Sequence, residues 1–316
     1  MLVASVGLLG RIAVGCTALL ATAASAQTYG YATLPPGTLN HTTASAISKV
    51  MKEKGGVNML VQPAAGGNVI MPMVGRGEVE IGSGNIMEPQ LYHERFPDLR
   101  LIAAINVLRT PFFVRKDSGM RTIADLKGKR VTMGFSAMRD LDTVARSMLA
   151  SAGLTEADIK PVLVPNVVRS ADDFVAGASD MFFFAFGAAK VREVDVTVGG
   201  IRVLEIDEQG MSAARKIMPW AYLTDATPGP IFTGVEKPMK VYSFDNVIVT
   251  NAKVPDDFIY KMLDTMEKNK DDLIQIQPIL RDFTGAFAYK QYGGVPYHSG
   301  AIKYFKDRNL MPTPIQ

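Results

Sequence analysis

One order of predicted strands and helices occurs twice in the chain, about 100 residues apart, and this repeat is the strongest constraint on its fold. From apolar spacing and from glycines that end segments, the first copy predicts a strand at 28–33, a helix at 40–54, a strand at 57–61, a short helix at 69–74 and a turn with a strand at 77–82. Strands that alternate with helices are typical of parallel sheets with helices on both faces.

The second copy has the same order of elements. It predicts a strand at 129–134, a helix at 140–152, a strand at 162–164, a short helical turn at 172–175 and a turn with a strand at 177–183. Two copies of one unit predict an α/β fold class with two lobes of similar wiring and a ligand cleft between them.

The lobes should be joined by strands that can act as hinges. Strand-like runs near 113 and 247 are the natural crossovers, and the helix after Pro255 carries an apolar stripe that is predicted to face the core. The predicted division is 1–26 as a leader, 27–115 plus 246–316 as lobe I, and 116–245 as lobe II.

A cleft of this kind lies at the carboxyl ends of the strands, where helix N-termini offer free N–H groups to anions. The loops that follow the predicted strands are rich in small residues that can donate hydrogen bonds, although turn and capping roles explain each loop taken singly. The candidate ligand-binding residues in these loops are Gly37, Thr38, Gly67, Asn68, Asn85, Ser136 and Ala137.

Charged and aromatic residues add further candidates. Arg139, at a predicted helix start, could clamp a carboxylate or simply be solvated, and Glu88 could meet a ligand ammonium or pair with a nearby base. One of Phe184 and Phe186 is expected to line the cleft, because alternate residues of a strand face opposite ways. Tyr222 lies in a Pro- and Gly-rich stretch that could cover it.

The first residues are predicted to be a secretory signal peptide. Residues 1–26 contain one charge, Arg11, followed by an apolar stretch at 12–21 and the small-x-small sequence Ala24–Ala26, so cleavage is expected before Gln27. The apolar stretch is short for a transmembrane anchor. We therefore expect an exported, periplasmic protein.

Composition excludes several other classes. The single cysteine, Cys16, cannot form a disulfide within the chain; it lies in a poor lipobox, so lipidation is the less favoured alternative. The chain has 34 Lys and Arg against 31 Asp and Glu, a balance that gives no electrostatic case for nucleic acid.

We find no motif for catalysis or for a cofactor. Neither a Gly-x-Gly-x-x-Gly segment after a strand nor a Walker loop is present, and His41, His93 and His298 are too far apart to suggest a metal site. We therefore expect a binding protein without a cofactor. An exported transferase or lyase on the same two-lobed fold remains an alternative, as does a signalling module.

Three segments resemble one protein family. Residues 76–82 resemble its "GE-x-D-x-G" segment, 117–131 resemble the start of its second lobe, and 297–307 resemble its closing "H-P-G-A-x-x-Y-Y-K-E". The chain resembles a TAXI-type solute receptor of tripartite ATP-independent periplasmic (TRAP) transporters, although Leu39 stands where that family often has Tyr.

The resemblance implies a periplasmic-binding-protein fold of type II and no enzymatic activity. It also implies a small organic carboxylate as ligand, of the glutamate or 2-oxoglutarate class, and a TRAP membrane permease as partner. Receptors of other transporter classes, including ABC transporters, are the alternative within binding proteins. His298 belongs to the closing motif, and its place before the last helix favours a capping or packing role over ligand contact.

Overall fold

The computed structural model describes residues 1–2 and 27–315. The predicted signal peptide, apart from its first two residues, and the possible lipidation of Cys16 lie outside the described residues. Within the described ranges, no helix combines the length and the hydropathy needed to cross a bilayer.

Strands occur where the repeat predicts them, with two long ones between the copies and near the end. The strands are β1 (Thr28–Thr33), β2 (Asn58–Pro63), β3 (Ile81–Asn85), β4 (Leu99–Arg109), β5 (Phe112–Arg115), β6 (Arg130–Met133), β7 (Lys160–Leu163), β8 (Met181–Phe183), β9 (Ile201–Val203), β10 (Tyr222–Ala226) and β11 (Met239–Asn251).

Helices follow most of these strands and cover the sheets. The α-helices are α1 (Leu39–Gly55), α2 (Gly67–Gly75), α3 (Met87–His93), α4 (Asp140–Ser151), α5 (Val167–Val175), α6 (Ala189–Thr197), α7 (Met211–Ile217), α8 (Asp256–Lys268), α9 (Lys270–Ile276), α10 (Gly285–Ala288) and α11 (Ser299–Asp307). Short 3₁₀ helices lie at Ile123–Leu126, Glu156–Asp158 and Pro278–Asp282.

The larger sheet has the order β2-β1-β3-β11-β10, and β4 also pairs with β11. β1, β2 and β3 are parallel, as predicted for the repeated unit, whereas β11 runs antiparallel to its neighbours β3, β4 and β10. The sheet is therefore mixed, because the long strand β11 enters it from the opposite direction.

The second half of the repeat has the same wiring. β6 and β7 are parallel, β5 pairs antiparallel with β8 and β9, and the Asp180 N–H donates to the Arg130 carbonyl beside β8. The neighbour order β7-β6-β8-β5 thus matches β2-β1-β3-β11. This arrangement confirms the predicted two-lobed α/β architecture.

The repeat holds in register at an offset of 100 residues. Gly30 pairs with Leu60 in the first copy, and Arg130 pairs with Lys160 in the second. The loops after β1 and β6 therefore leave their sheets at equivalent points.

An acidic side chain stabilises each copy in the same way. Glu80 Oε2 accepts a hydrogen bond from the Gly30 N–H at 2.6 Å, and Asp180 Oδ2 accepts one from the Arg130 N–H at 2.7 Å. These two bonds also obey the 100-residue offset, so the equivalence extends to side chains.

Two long strands carry the chain from one hydrophobic core to the other. On β4, Ile105 packs in the core of the first copy and Leu108 in the core of the second. On β11, Val247 packs in the core of the first copy and Phe244 in the core of the second. Both crossovers lie side by side, because the Thr110 N–H donates to the Tyr242 carbonyl at 3.0 Å.

Two local predictions were wrong. α5 begins at Val167 rather than near 172, because the Asn166 side chain caps it by accepting the Arg169 N–H at 3.0 Å. Strand β8 ends at Phe183, so Phe184 and Phe186 lie beyond it and not on the strand on which they were expected to alternate. The partner strand β5 begins after Pro111, which has no N–H with which to extend the ladder.

Candidate functional site

A cavity of about 50 Å³ lies where the strand ends of both copies meet. Its walls are formed by the loops after β1, β3, β6 and β8, by the start of α5 and by the two crossovers. Its lining residues are Leu34, Thr38, Leu39, Asn40, Asn85, Glu88, Leu108, Thr110, Met138, Leu141, Val167, Phe183, Phe184, Ala185 and Phe244.

The loop after β1 is held in shape by Gly37 and Thr38. Gly37 has φ of 89°, a left-handed conformation that favours glycine, and its carbonyl accepts a bond from the Lys190 N–H across the cleft at 3.4 Å. Thr38 Oγ1 caps α1 by accepting the His41 N–H at 3.2 Å. Thr38 and Asn40 are buried and line the cavity, whereas Gly37 lies beside it.

Asn85 joins two buried carboxyl groups across the cleft. Its backbone N–H donates to Glu88 Oε2 at 3.0 Å, and its side-chain amide donates to Asp140 at the start of α4. Glu88 and Asp140 are 3% and 4% exposed. Asn85 therefore contacts one buried acid on each side of the cleft.

Burial makes both carboxyl groups weaker acids than exposed carboxyl groups are. The pKa of Glu88 is raised well above its usual range, first by burial and then by the nearby Asp140. Burial also raises the pKa of Asp140, to about 6, although its bond to Asn85 opposes the rise. We infer that the closed site holds protons at mildly acidic pH.

Two glycines make room for the Glu88 side chain. A Cβ on Gly67 would lie 1.8 Å from Glu88 Oε1, and a Cβ on Gly84 would lie 1.8 Å from Oε2. Gly67 therefore belongs to the site through the space it leaves for Glu88.

A second set of contacts closes the cleft beside the cavity. The Asn68 amide donates to the Ser136 carbonyl at 3.0 Å, and Gly66 packs so closely on Ala137 that a Cβ there would lie 1.8 Å from the Ala137 oxygen. Asn68, Ser136 and Ala137 thus meet across the cleft, but none of them lines the cavity.

Of the remaining predicted residues, some line the cavity and others do not. Phe184 lines the cavity, whereas Phe186 packs edge-on against Phe113 and Phe232 in the core. Arg139 is exposed and does not line the cavity, since the first turn of α4 directs Asp140 rather than Arg139 inward.

Tyr222 belongs to a different buried group. Its hydroxyl donates to Asp245, which also accepts bonds from Lys290 Nζ at 2.7 Å and from the Tyr292 hydroxyl at 2.6 Å. This cluster ties β10, β11 and the C-terminal segment together. Tyr222 does not line the cavity.

His298 is an N-cap. Its Nδ1 accepts the Gly300 N–H at 3.1 Å at the start of α11, and its side chain is buried. This arrangement agrees with the capping role favoured from its place in the sequence.

Sequence reasoning missed Asn40, Thr110 and Asp140. The repeat contained a usable signal for two of them, because Asn40 and Asp140 are 100 residues apart and both lie in the first turn of equivalent helices. No sequence signal marks Thr110, which becomes part of the site only through the crossover after β4. Among the described residues, no group of three or more His, Cys, Asp or Glu could hold a metal ion.

Solved structures share this fold at low sequence identity. PhnD1 from Prochlorococcus marinus, in complex with methylphosphonate, has a TM-score of 0.56 at 11% identity over 89% of this chain and 96% of its own. The alkanesulfonate-binding protein SsuA from Xanthomonas axonopodis pv. citri, bound to MOPS, has a TM-score of 0.50 at 14% identity over 89% and 90%. These likenesses show the two-lobed fold of substrate-binding proteins.

A curated relative matches a smaller part of the chain. A Haemophilus influenzae protein whose name refers to thiamine biosynthesis is 33% identical over 99 residues, 29% of this chain and 31% of that protein. The chain therefore spans about a third of the length of that relative.

A family model covers nearly all of the described chain. It matches residues 32–308, a range that includes both copies of the repeat except the first four residues of β1, both crossovers and every residue of the cavity. The chain belongs to the NMT1-like family.

Proposed function

We propose that this protein is a periplasmic solute-binding receptor of a membrane transporter, whose lobes close on one small molecule. The observation that carries the proposal is the cavity formed by strand ends of both lobes, with buried polar groups from each side of the cleft. The family and the shared fold support it.

Closure belongs to this function. At about 50 Å³ the cavity is smaller than most ligand sites, and hydrogen bonds from Asn68 and Asn85 join its two sides. Separation of the lobes would break these bonds and widen the cavity for a ligand, and β4 and β11 are the strands about which the lobes would move.

The location and the partner are part of the same proposal. The predicted signal peptide at 1–26 supports export to the periplasm. The resemblance to TAXI receptors supports a TRAP permease as the recipient and a small carboxylate as one ligand class; an ABC transporter is the alternative recipient. Finding the gene beside a TRAP permease gene would support the first, and an ABC permease gene the second.

A thermal melting screen tests the receptor function. Compounds that bind only the folded protein raise its melting temperature in proportion to the logarithm of their concentration. We expect at least one shift from a library of organic acids, amino acids, amines, sulfonates and phosphonates.

The control variants place the binding event in the cavity. Ala185→Phe should fill the cavity and abolish the shift, whereas Ala157→Phe, on the exposed surface, should retain it. No shift across the library, or an equal shift in both variants, would refute the proposed site.

A further inference from the structure

The walls of the cavity are mostly apolar and contain no basic group. Ten of its fifteen lining residues are apolar, and no Lys, Arg or His is among the described residues that line it. Its one ionisable lining group is Glu88. An anionic ligand would therefore find no counter-charge in the wall.

Within residues 27–315, no cationic side chain pairs with the Glu88 carboxyl. It is 3% exposed, and the groups that act on its pKa are burial, Asp140 and the backbone N–H of Asn85. A buried carboxylate without a cation is costly, so the closed protein holds a proton there. A second negative charge in the cavity would add to this cost.

A second group in the same wall also lacks a partner. Thr110 is 4% exposed, and its Oγ1 is buried and has no hydrogen-bond partner in the part of the chain that the structure describes. Thr110 lines the cavity from the crossover between β4 and β5. Buried hydroxyl groups are normally hydrogen-bonded, so this one indicates a bond that a ligand completes.

We propose that the ligand of this receptor is a small apolar amine whose ammonium group meets Glu88, with Thr110 Oγ1 accepting one of its N–H bonds and the apolar wall covering its hydrocarbon body. This inference rests on the proposed receptor function and names an amine as its ligand class, in place of the carboxylate that the resemblance to TAXI receptors implies. When the amine binds, the Glu88 proton leaves to solvent and the carboxylate pairs with the ammonium, so charge in the cavity stays balanced.

Three probes with one carbon skeleton test the head group. Isoamylamine, isovalerate and isoamyl alcohol are titrated into the purified protein by calorimetry at pH 6, in two buffers of different ionisation enthalpy. We expect the amine alone to bind, with release of up to one proton per ligand. Binding of isovalerate without the amine would overturn the inference and leave the receptor function standing.

Matched variants assign the proton and the charge. Glu88→Gln should weaken isoamylamine binding roughly 10- to 100-fold and abolish proton release, whereas Glu94→Gln, exposed just after α3, should change neither. Thr110→Val should weaken binding about threefold to tenfold with proton release retained. These outcomes separate charge recognition from a general effect on folding.

Failure of this inference is distinguishable from failure of the receptor function. If none of the three probes binds but a compound of the melting screen that lacks an amino group does, the amine assignment is wrong and the receptor stands. Should Glu88→Gln fail to fold, proton release by the unmodified protein and the Thr110→Val titration still decide the question. Amine binding without proton release would also overturn it.

Discussion

At the scale of single residues, the site depends on two glycines whose missing side chains leave space for Glu88. Glu88 occupies space that a Cβ on Gly84 or Gly67 would fill, so these glycines are required for close approach rather than for backbone conformation. Among the many glycines of the chain, contact with a buried carboxyl is what distinguishes them.

Gly84→Ala should therefore destabilise the protein. The added methyl group must displace Glu88, an overpacking change that typically costs about 1–3 kcal/mol of unfolding free energy, measured by urea denaturation. Gly229→Ala is the control, because its nearest atom would be 3.9 Å from the new Cβ. Equal stability of the two variants would contradict the packing described for Glu88.

The buried pair of Lys290 and Asp245 gives a second prediction. These side chains are 4% and 1% exposed, so Lys290→Met leaves an unpaired charge on Asp245 and should cost about 3–5 kcal/mol in urea denaturation. Lys303→Met, which breaks an exposed pair with Asp307, should cost less than about 0.5 kcal/mol. Comparable losses would mean that Asp245 is not held as described.

His298 makes stability depend on pH. Burial lowers its pKa below 6.5, and its neutral Nδ1 must accept the Gly300 N–H. The stability contributed by this cap is therefore complete above about pH 6.5 and is lost as the pH falls through the lowered pKa. In His298→Asn the amide oxygen can replace the cap, so melting temperatures measured against pH should lose this dependence; an unchanged profile would assign it elsewhere.

At the scale of elements, the repeat could be predicted because it depends on periodicity. β1, β6 and α8 follow apolar spacing, and the predicted stripe of α8 is buried: Phe258, Ile259, Met262, Leu263 and Met266. The start of α5 depends on the capping side chain of Asn166. The end of β8 depends on Pro111, which has no N–H to extend the ladder between β5 and β8. Local apolar spacing contains neither signal.

The site was predictable only in part. Loops at strand ends suggested Thr38, Asn85 and Glu88, which do line the cavity. Thr110 lines the cavity from the crossover after β4, and Asp140 contacts the lining residue Asn85 across the cleft. Tyr222 lies outside the cavity, where its hydroxyl donates to Asp245. Long-range pairing of this kind is decided by the assembled fold.

The cap of α5 gives a prediction at this scale. Asn166→Ala removes the acceptor of the Arg169 N–H and should lower the free energy of unfolding by about 1 kcal/mol. Asn166→Ser keeps a side-chain acceptor and should retain most of the stability that the cap contributes. Urea denaturation measures both variants. If Ala and Ser were equally destabilising, the cap would not be what fixes the helix start.

At the scale of the whole molecule, closure should depend on pH. The pKa values of Glu88 and Asp140 are raised in the closed protein, so the closed state binds more protons and is favoured below their ordinary values. That advantage is lost as the pH rises through about 6, the raised pKa of Asp140.

Small-angle X-ray scattering can measure this change. Without ligand, the radius of gyration should increase between pH 5 and pH 8 as the lobes separate, and the double variant Glu88→Gln, Asp140→Asn should show a smaller change. An equal increase in the variant would assign the opening to other titratable groups.

The paired crossovers of β4 and β11 also bear on the order of folding during synthesis. All strands from β5 to β9 lie in one uninterrupted stretch of chain, whereas β3 lacks its neighbour β11 until Asn251 has been made. A nascent chain can therefore pair the strands from β5 to β9 while β3 still exposes an unpaired sheet edge. Such an edge is a site where a chaperone would be needed during this interval.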